Sequence, residues 1–144
     1  RFLQEAQAAA ALNHPNICTI YGIEEYEGQQ FIEMEIVDGA TLGEQIPIQK
    51  IENAINYAIQ IGEALYEAHG KGIVHRDIKA DNIMVNSKGR VKVMDFGLAK
   101  LKGSLKLTRT SSTVGTLVYM SPEQLQGGEV DARTDVFSFG VLFF

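Results

Sequence analysis

The chain has 144 residues, 45% of them hydrophobic and 22% charged, which is the composition of an ordinary globular domain. Its net charge of −5 comes without a basic stripe that could bind phosphates, so we expect no nucleic-acid partner. The single cysteine excludes an internal disulfide, and the longest apolar run, 136–144, is too short to span a bilayer, so we expect a cytoplasmic segment without membrane contact.

The first part of the chain is predicted to form a helix followed by a hairpin. Residues 2–12 are alanine-rich with apolar side chains at helical spacing, and the Asn-His-Pro-Asn of 13–16 ends that helix. Residues 17–23 and 30–37 are rich in β-branched and aromatic side chains, which predicts two antiparallel strands. In the second strand, apolar residues up to Ile36 alternate with glutamates, so we expect one face to be buried.

The middle of the chain is dominated by one long predicted helix. The Thr-Leu-Gly-Glu of 41–44 is a capping-box pattern, which predicts that a short helix begins there. The longer helix is predicted over 51–69 and ends at the glycines of 70–72. Residues at three- and four-residue steps define its predicted buried face: Ile51, Ala54, Ile55, Ala58, Gly62 and Leu65.

A second hairpin and a polar loop are predicted after the long helix. Residues 83–85 and 90–94 should pair across a turn at 86–89, which would place Asp95 at the end of a strand. Residues 100–116 are polar, rich in Ser and Thr, and have no clear period. They are predicted to form a mobile loop.

The last part of the chain is predicted to contain two helices. The Ser-Pro-Glu-Gln of 121–124 supplies an N-cap, a proline at the first helical position and a glutamine that can close a capping box. An apolar helix is predicted to begin near Thr134. Because it would leave the aromatic and aliphatic side chains of 136–144 at a free end, we expect the chain to be a fragment that is inactive on its own.

Two motifs carry most of the chemistry that the residues indicate. Residues 75–82 are His-Arg-Asp-Ile-Lys-Ala-Asp-Asn, and residues 95–97 are Asp-Phe-Gly. The first fits the H-R-D-L-x-x-x-N catalytic-loop pattern with Ile78 in place of leucine, and the second is D-F-G. Phosphoryl transfer needs a carboxylate to receive a proton, oxygen ligands for Mg²⁺, and a cation to offset charge on the phosphate. The two motifs contain this set.

By these motifs and their flanking residues, the chain resembles the bacterial, eukaryotic-like (Hanks-type) serine/threonine protein kinases. The resemblance covers all 144 residues, from the regulatory helix of the small lobe to the start of the large lobe's central helix. It implies an α+β, protein-kinase-like two-lobe fold that is incomplete. Residues 1–37 would be the remainder of the small lobe and the hinge, and 38–144 part of the large lobe. The family's glycine-rich loop and nucleotide-binding lysine would precede Arg1.

The resemblance implies ATP and Mg²⁺ as cofactors, and roles for four residues of the two motifs. Asp77 matches the base that accepts or orients the proton of the substrate hydroxyl, and Lys79 matches the lysine that contacts the γ-phosphate. Asn82 and Asp95 match the Mg²⁺ ligands, and their oxygen atoms suit this hard cation. Asp81, beside Asn82, is interpreted as a surface acid.

Further matched residues would bind the nucleotide. Glu5 matches the carboxylate that pairs with the nucleotide-binding lysine, and Met34 matches the gatekeeper side chain. Glu35 to Val37 match the hinge, which recognises adenine through backbone groups, and Met84 matches the residue that packs under adenine.

Other matched residues would support the site by packing and anchoring. His75 and Phe96 match residues that stack between the lobes, together with Ile20 and Ala9. Asp135 resembles the central-helix aspartate that anchors the backbone of the catalytic loop.

Regulation is also implied by the resemblance. Arg76 matches the arginine that binds a phosphate on the activation loop, and a guanidinium–phosphate pair can order such a loop. We assign Thr116 to the substrate loop. The preferred regulatory hydroxyls are Thr108 and Thr110, and Ser112 and Thr113 are second choices.

The resemblance favours protein substrates with Ser or Thr acceptors, because Lys79 and the substrate-binding loop of 115–123 match kinases of that class. Two alternatives stay open: a pseudokinase-type binding module, and a kinase-fold phosphotransferase that acts on small molecules. Expected partners are ATP and protein substrates, and a kinase dimer for trans-autophosphorylation stays open. So does a membrane anchor elsewhere in the full-length protein.

Overall fold

The computed structural model describes residues 11–96 and 117–144, in which short strands and helices surround one apolar core. Almost all of the helix predicted over 2–12, and the whole loop predicted over 100–116, lie outside the described residues. Within the described ranges, no helix is long and apolar enough to cross a membrane.

The first hairpin is confirmed, with its first strand shifted by three residues and its second strand shorter than predicted. Strand β1 (Ile20–Tyr26) pairs antiparallel with β2 (Gln29–Met34). Glu27 and Gly28 form the turn between them with φ values of +52° and +75°, a left-handed conformation that suits a tight hairpin turn.

Both ends of the hairpin differ from the prediction, because the residues predicted there lie outside the paired strands. Ile17 makes an isolated parallel bridge with Val93 instead of joining β1. Strand β2 ends at Met34, and the side chain of Ile36 is 94% exposed, so the predicted buried face is wrong at that residue. The chain leaves the sheet at Glu35, whose backbone N–H donates to the carbonyl of Thr19 at 2.9 Å.

A second sheet consists of β3 (Gly39–Thr41), β4 (Ile83–Asn86) and β5 (Val91–Val93) in the order β3-β4-β5, all antiparallel. The predicted β4–β5 hairpin is confirmed within one residue at each end. Strand β3 was not predicted, because it is short and contains Gly39. That glycine permits the pairing, since a Cβ there would collide with the carbonyl of Val85.

The long helix, α1 (Ile51–Gly70), is confirmed, and it contacts β5. Its predicted buried face is wrong at Ile51 and Ile55, which are 69% and 54% exposed. Apolar residues lie on more than one side of this helix, so their spacing alone does not say which side meets the sheet. The residues that are buried are Tyr57, Ile61, Ala64, Leu65 and Ala68.

The core joins α1, the second sheet and the loop that carries the first motif. Ile78, in the middle of that loop, is fully buried in the same cluster as Ile61 of α1 and Val91 and Val93 of β5. Burying an isoleucine side chain contributes roughly 1.5–3 kcal/mol. The loop is therefore fixed to the core through its own apolar residue.

Shorter helical segments complete the described fold. The predicted short helix near 41–44 is a single 3-10 turn, Gly43–Gln45. Helix α2 (Pro122–Leu125) has the predicted capping box at Ser121. Helix α3 (Ala132–Leu142) begins two residues before the predicted position, because Asp131 caps it by accepting the N–H of Arg133 at 2.8 Å.

Candidate active site

The loop of 71–79 is anchored by one buried carboxylate. Asp135 of α3 is fully buried, and its Oδ2 and Oδ1 accept the backbone N–H groups of His75 and Arg76 at 2.8 and 2.7 Å. Its Oδ2 also lies 2.7 Å from Nε2 of His69, in the last turn of α1. A buried carboxylate is stable only when donors surround it. Asp135 therefore joins two helices to the loop, in the anchoring role that the sequence predicted.

His75 ties the loop to the segment that follows β5. Its Nε2 lies 2.7 Å from the carbonyl of Met94 and its Nδ1 lies 3.2 Å from the backbone nitrogen of Asp77. Both contacts are satisfied only by a neutral ring that carries its proton on Nε2. Full burial lowers the pKa of His75, in agreement with that neutral form. The ring also stacks edge-on against Phe96, with centroids 4.6 Å apart.

The structure brings together Asp77, Lys79 and Asn82. Nδ2 of Asn82 donates to the backbone carbonyl and to Oδ2 of Asp77, at 2.8 and 2.9 Å. Nζ of Lys79 lies 3.1 Å from the same Oδ2. The side chain of Asn82 is buried, whereas those of Asp77 and Lys79 are 14% and 17% exposed. One carboxylate is thus held between an amide and an ammonium group at the protein surface.

Asp95 is brought to this group by the backbone. It follows β5, and the N–H of Met94 beside it donates to the carbonyl of Asn82 at 2.8 Å. Asp95 and Arg76 have φ values of +59° and +71°. Left-handed backbone is costly for residues other than glycine and is concentrated at functional sites. The donor set of Asn82 and Asp95, an amide and a carboxylate, is of the kind that Mg²⁺ prefers.

The candidate nucleotide residues lie along the end of β2 and on β4. Met34 ends β2 and Met84 lies in β4, and both are half-buried, as is Val37. The side chain of Glu35 is bonded elsewhere: its Oε2 accepts from Nζ of Lys92 at 2.8 Å and from the N–H of Thr19 at 3.1 Å. Although partial burial opposes it, these donors lower the pKa of Glu35. Its backbone N–H donates to Thr19, so a hinge role would use its backbone carbonyl.

Sequence reasoning missed two side chains that support the loop, one through Asp135 and one directly. His69 contacts Asp135, and Gln124 donates from Nε2 to the carbonyl of Arg76 at 2.8 Å. A histidine in a last helical turn and a capping-box glutamine both have ordinary local explanations, so neither signalled a contact across the fold.

Arg76 carries a donor that its surroundings do not satisfy. Among the described residues, its Nε is the one buried side-chain polar atom without a hydrogen-bond partner. Such atoms are rare in folded proteins and call for an explanation. Asp81, by contrast, is exposed, as expected of a surface acid.

Several predicted residues lie outside the described part of the chain, and nothing about their placement enters the site. They are Glu5, Ala9, Thr108, Thr110, Ser112, Thr113 and Thr116.

Comparisons with known proteins point to one family. A family model described as "Protein kinase domain" matches residues 1–144. The whole chain aligns with the serine/threonine-protein kinase PrkC of Bacillus subtilis at 43% identity, and with PknB of Mycobacterium leprae and Mycobacterium tuberculosis, both named serine/threonine-protein kinases, at 44% and 42%. The chain spans only 23–24% of the length of these relatives.

Proposed function

The chain belongs to the protein kinase domain family, and on that premise we propose that the full-length protein is a serine/threonine protein kinase. It transfers the γ-phosphate of ATP to Ser or Thr hydroxyls of protein substrates. The observation that carries this proposal is the carboxylate of Asp77, held by Asn82 and Lys79 within 3.1 Å on a loop that is anchored in the core. The names of the relatives support the acceptor class.

In the proposed reaction, Asp77 receives or orients the proton of the acceptor hydroxyl. The donors from Asn82 fix its carboxylate, so that the free lone pairs of the carboxylate can point at an incoming hydroxyl. Lys79 neutralises negative charge beside the carboxylate and would contact the transferred phosphate. Holding these groups in place before the substrate arrives is the main contribution a kinase makes to phosphoryl transfer.

Asn82 and Asp95 would hold Mg²⁺, and their donor chemistry fits that ion. Mg²⁺·ATP, when bound, supplies the transferable phosphate and offsets its developing charge. Met34, Val37 and Met84 would line the adenine side of the site, with the backbone of Glu35 as the hinge. Glu5 would pair with a nucleotide-binding lysine.

Regulation would act through Arg76. Its buried Nε–H, which has no partner among the described residues, supports a role as a donor that binds a phosphate group. The phosphate would lie on the loop before Thr116, preferably on Thr108 or Thr110, with Ser112 and Thr113 as second choices. Thr116 itself would contact the substrate. A dimer of kinase copies would allow one copy to phosphorylate the loop of the other.

The proposed layout assigns 1–37 to the small lobe and hinge and 38–144 to the large lobe. Because ATP is a cytoplasmic co-substrate, we place this segment on the cytoplasmic side, whether or not the full-length protein carries a membrane anchor.

The acceptor class can be tested directly. The purified full-length protein is incubated with Mg²⁺ and γ-labelled ATP, with casein as acceptor, and the labelled residues are identified by mass spectrometry. Label on serine and threonine supports the proposal. Label confined to tyrosine or to small molecules would contradict the proposed acceptor class. Nucleotide binding without any transfer would indicate a pseudokinase-type module.

A further inference from the structure

Gln124 uses both ends of its side-chain amide. Its Oε1 accepts the backbone N–H of Ser121 at 3.0 Å, while the Oγ of Ser121 accepts the N–H of Gln124 at 3.4 Å. These two bonds form the capping box that begins α2, and they need only the oxygen of the amide. The nitrogen, Nε2, donates instead to the carbonyl of Arg76 at 2.8 Å, 48 residues away.

The backbone of Arg76 is therefore held on both sides. Its N–H donates to Asp135 at 2.7 Å and its carbonyl accepts from Gln124 at 2.8 Å. Between these bonds, Arg76 has a φ of +71°, a conformation that persists in a non-glycine residue only when its surroundings enforce it. The next peptide unit leads directly to Asp77. The direction in which Asp77 leaves the loop thus depends on both bonds.

The identity of the residue matters as much as its position. A capping box accepts Glu or Gln equally well at this helical position. Glutamate would place a carboxylate oxygen against the carbonyl oxygen of Arg76, where only a donor is favourable. The capping box alone does not explain a glutamine here, whereas the bond to Arg76 does.

We propose that Gln124 is a positioning residue for phosphoryl transfer, which makes the geometry of Asp77 depend on how the segment of 117–125 is seated. The inference rests on the proposed function of Asp77. Gln124 does not touch the reacting atoms, and it acts through the carbonyl of Arg76. The segment of 117–125 follows the proposed substrate loop directly, so its placement and the orientation of Asp77 change together.

The test compares Gln124→Glu and Gln124→Ala with Gln126→Ala in the full-length protein. Gln126 is the C-cap of the same helix and is exposed, so it serves as the matched control. We expect both Gln124 variants to lower kcat by roughly 10- to 100-fold, because misplaced catalytic groups cause losses of that order. The KM for ATP should stay within about twofold of the wild-type value, since Gln124 is not among the nucleotide residues.

Gln124→Glu separates positioning from simple stabilisation. It keeps the capping box, so any fall in its melting temperature comes from the lost bond to Arg76 and not from the helix, while kcat at about pH 8 falls. As the pH is lowered, the carboxyl group becomes protonated and can donate to Arg76, so its kcat relative to wild type should rise. The same ratio should stay flat for Gln124→Ala. Wild-type kcat in Gln124→Glu, or a flat ratio in both variants, overturns the proposal.

Hydrogen exchange gives a readout that does not require activity. The peptide that spans 73–79 should exchange faster in Gln124→Ala than in Gln126→Ala, because the hydrogen bond from Gln124 to the carbonyl of Arg76 is lost. Equal exchange overturns the inference about Gln124. If the wild-type protein is inactive but the expected exchange difference is found, the proposed function is refuted, whereas the role of Gln124 in holding the backbone of Arg76 is not.

Discussion

The carboxylate of Asp135 accepts the backbone N–H of Arg76 at 2.7 Å, although 59 positions of sequence separate the two residues. The same carboxylate accepts the N–H of His75 at 2.8 Å. Helix α3 is therefore part of the scaffold of the candidate site, and the left-handed residue of the loop depends on it. Asp135 therefore positions the loop through its backbone and not through the side chains of Asp77 and Lys79.

Asp135→Asn should destabilise the fold and the loop together. The substitution keeps the shape but turns one oxygen into an NH₂ group, which cannot accept from a backbone N–H. We expect a loss of roughly 1–3 kcal/mol in the free energy of unfolding, measured by urea denaturation. The control is Asp131→Asn at the cap of the same helix, where asparagine caps as well as aspartate and only an exposed ion pair with Arg133 is lost, so the change should be small. Equal losses of unfolding free energy in the two variants would show that Asp135 stabilises the fold no more than Asp131 does.

The amide of Gln60 should contribute measurably to stability. Its Oε1 accepts from Nδ2 of Asn16 and from the N–H of Val91, both at 2.8 Å, and its Nε2 donates to the carbonyl of Gly89 at 3.0 Å. Gln60→Met keeps the length of the side chain but removes the amide, which leaves its three partners without these hydrogen bonds. We therefore expect a loss of about 1–3 kcal/mol in the free energy of unfolding. Gln49→Met, at an exposed residue, is the control and should change little. A loss below that of the control would refute the role of the network.

Stability should fall on mild acidification because of His75. Burial holds the pKa of His75 in the folded state below the ordinary value of 6.5. Above about pH 7.5 the ring is neutral in both states and its contribution is complete. As the pH falls below 6.5, the unfolded chain binds the proton first, so the free energy of unfolding decreases towards the folded pKa.

The variant His75→Phe removes this titration and keeps an aromatic ring against Phe96. Between about pH 7.5 and 5, its unfolding free energy should depend less steeply on pH than that of the wild type, as measured by urea denaturation at several pH values. The pKa values of Glu35 and Asp131 are also lowered in the folded state. These carboxylates lose their contribution to stability only as the pH falls below their ordinary pKa values of 4.5 and 3.8, which lie below this pH range. Identical slopes for the variant and the wild type would contradict the neutral, buried state of His75.

Activity of the full-length protein should depend on phosphate in the loop before Thr116. Mass spectrometry of active protein should find phosphate on Thr108 or Thr110, and the double alanine variant should lose most activity, because about −1.5 to −2 charges that pair with Arg76 are removed. Ser104→Ala, in the same loop, is the control and should stay active. An active protein with no phosphate in the loop, and an active double variant, would exclude this control mechanism while leaving the kinase proposal intact.

Local sequence rules predicted the elements around the site. The β4–β5 hairpin that leads to Asp95 and the capping box of Ser121 are both confirmed. Turn and capping chemistry acts between residues a few positions apart, so a single sequence contains the information needed.

Contacts between residues far apart in the sequence were harder to predict. The face of α1 that is buried was predicted wrongly at Ile51 and Ile55, because only packing against β5 decides between two apolar sides. The bond from Gln124 to Arg76 joins residues 48 positions apart, and the capping box already accounts for a glutamine locally. The resemblance to kinases supplied the anchor at Asp135, which residue spacing alone would not have shown.

Replacement of Asp77 tests the proposed phosphoryl transfer most directly. In the full-length protein, Asp77→Asn should lower kcat by roughly 10²–10⁴-fold while the Kd for Mg²⁺·ATP stays close to the wild-type value, because the proposed role of Asp77 is with the proton and not with the nucleotide. Asp81→Asn, which alters an exposed carboxylate four residues along, is the matched control and should keep wild-type turnover. Near-normal turnover in Asp77→Asn would contradict the assignment of Asp77 and, with it, the proposed mechanism.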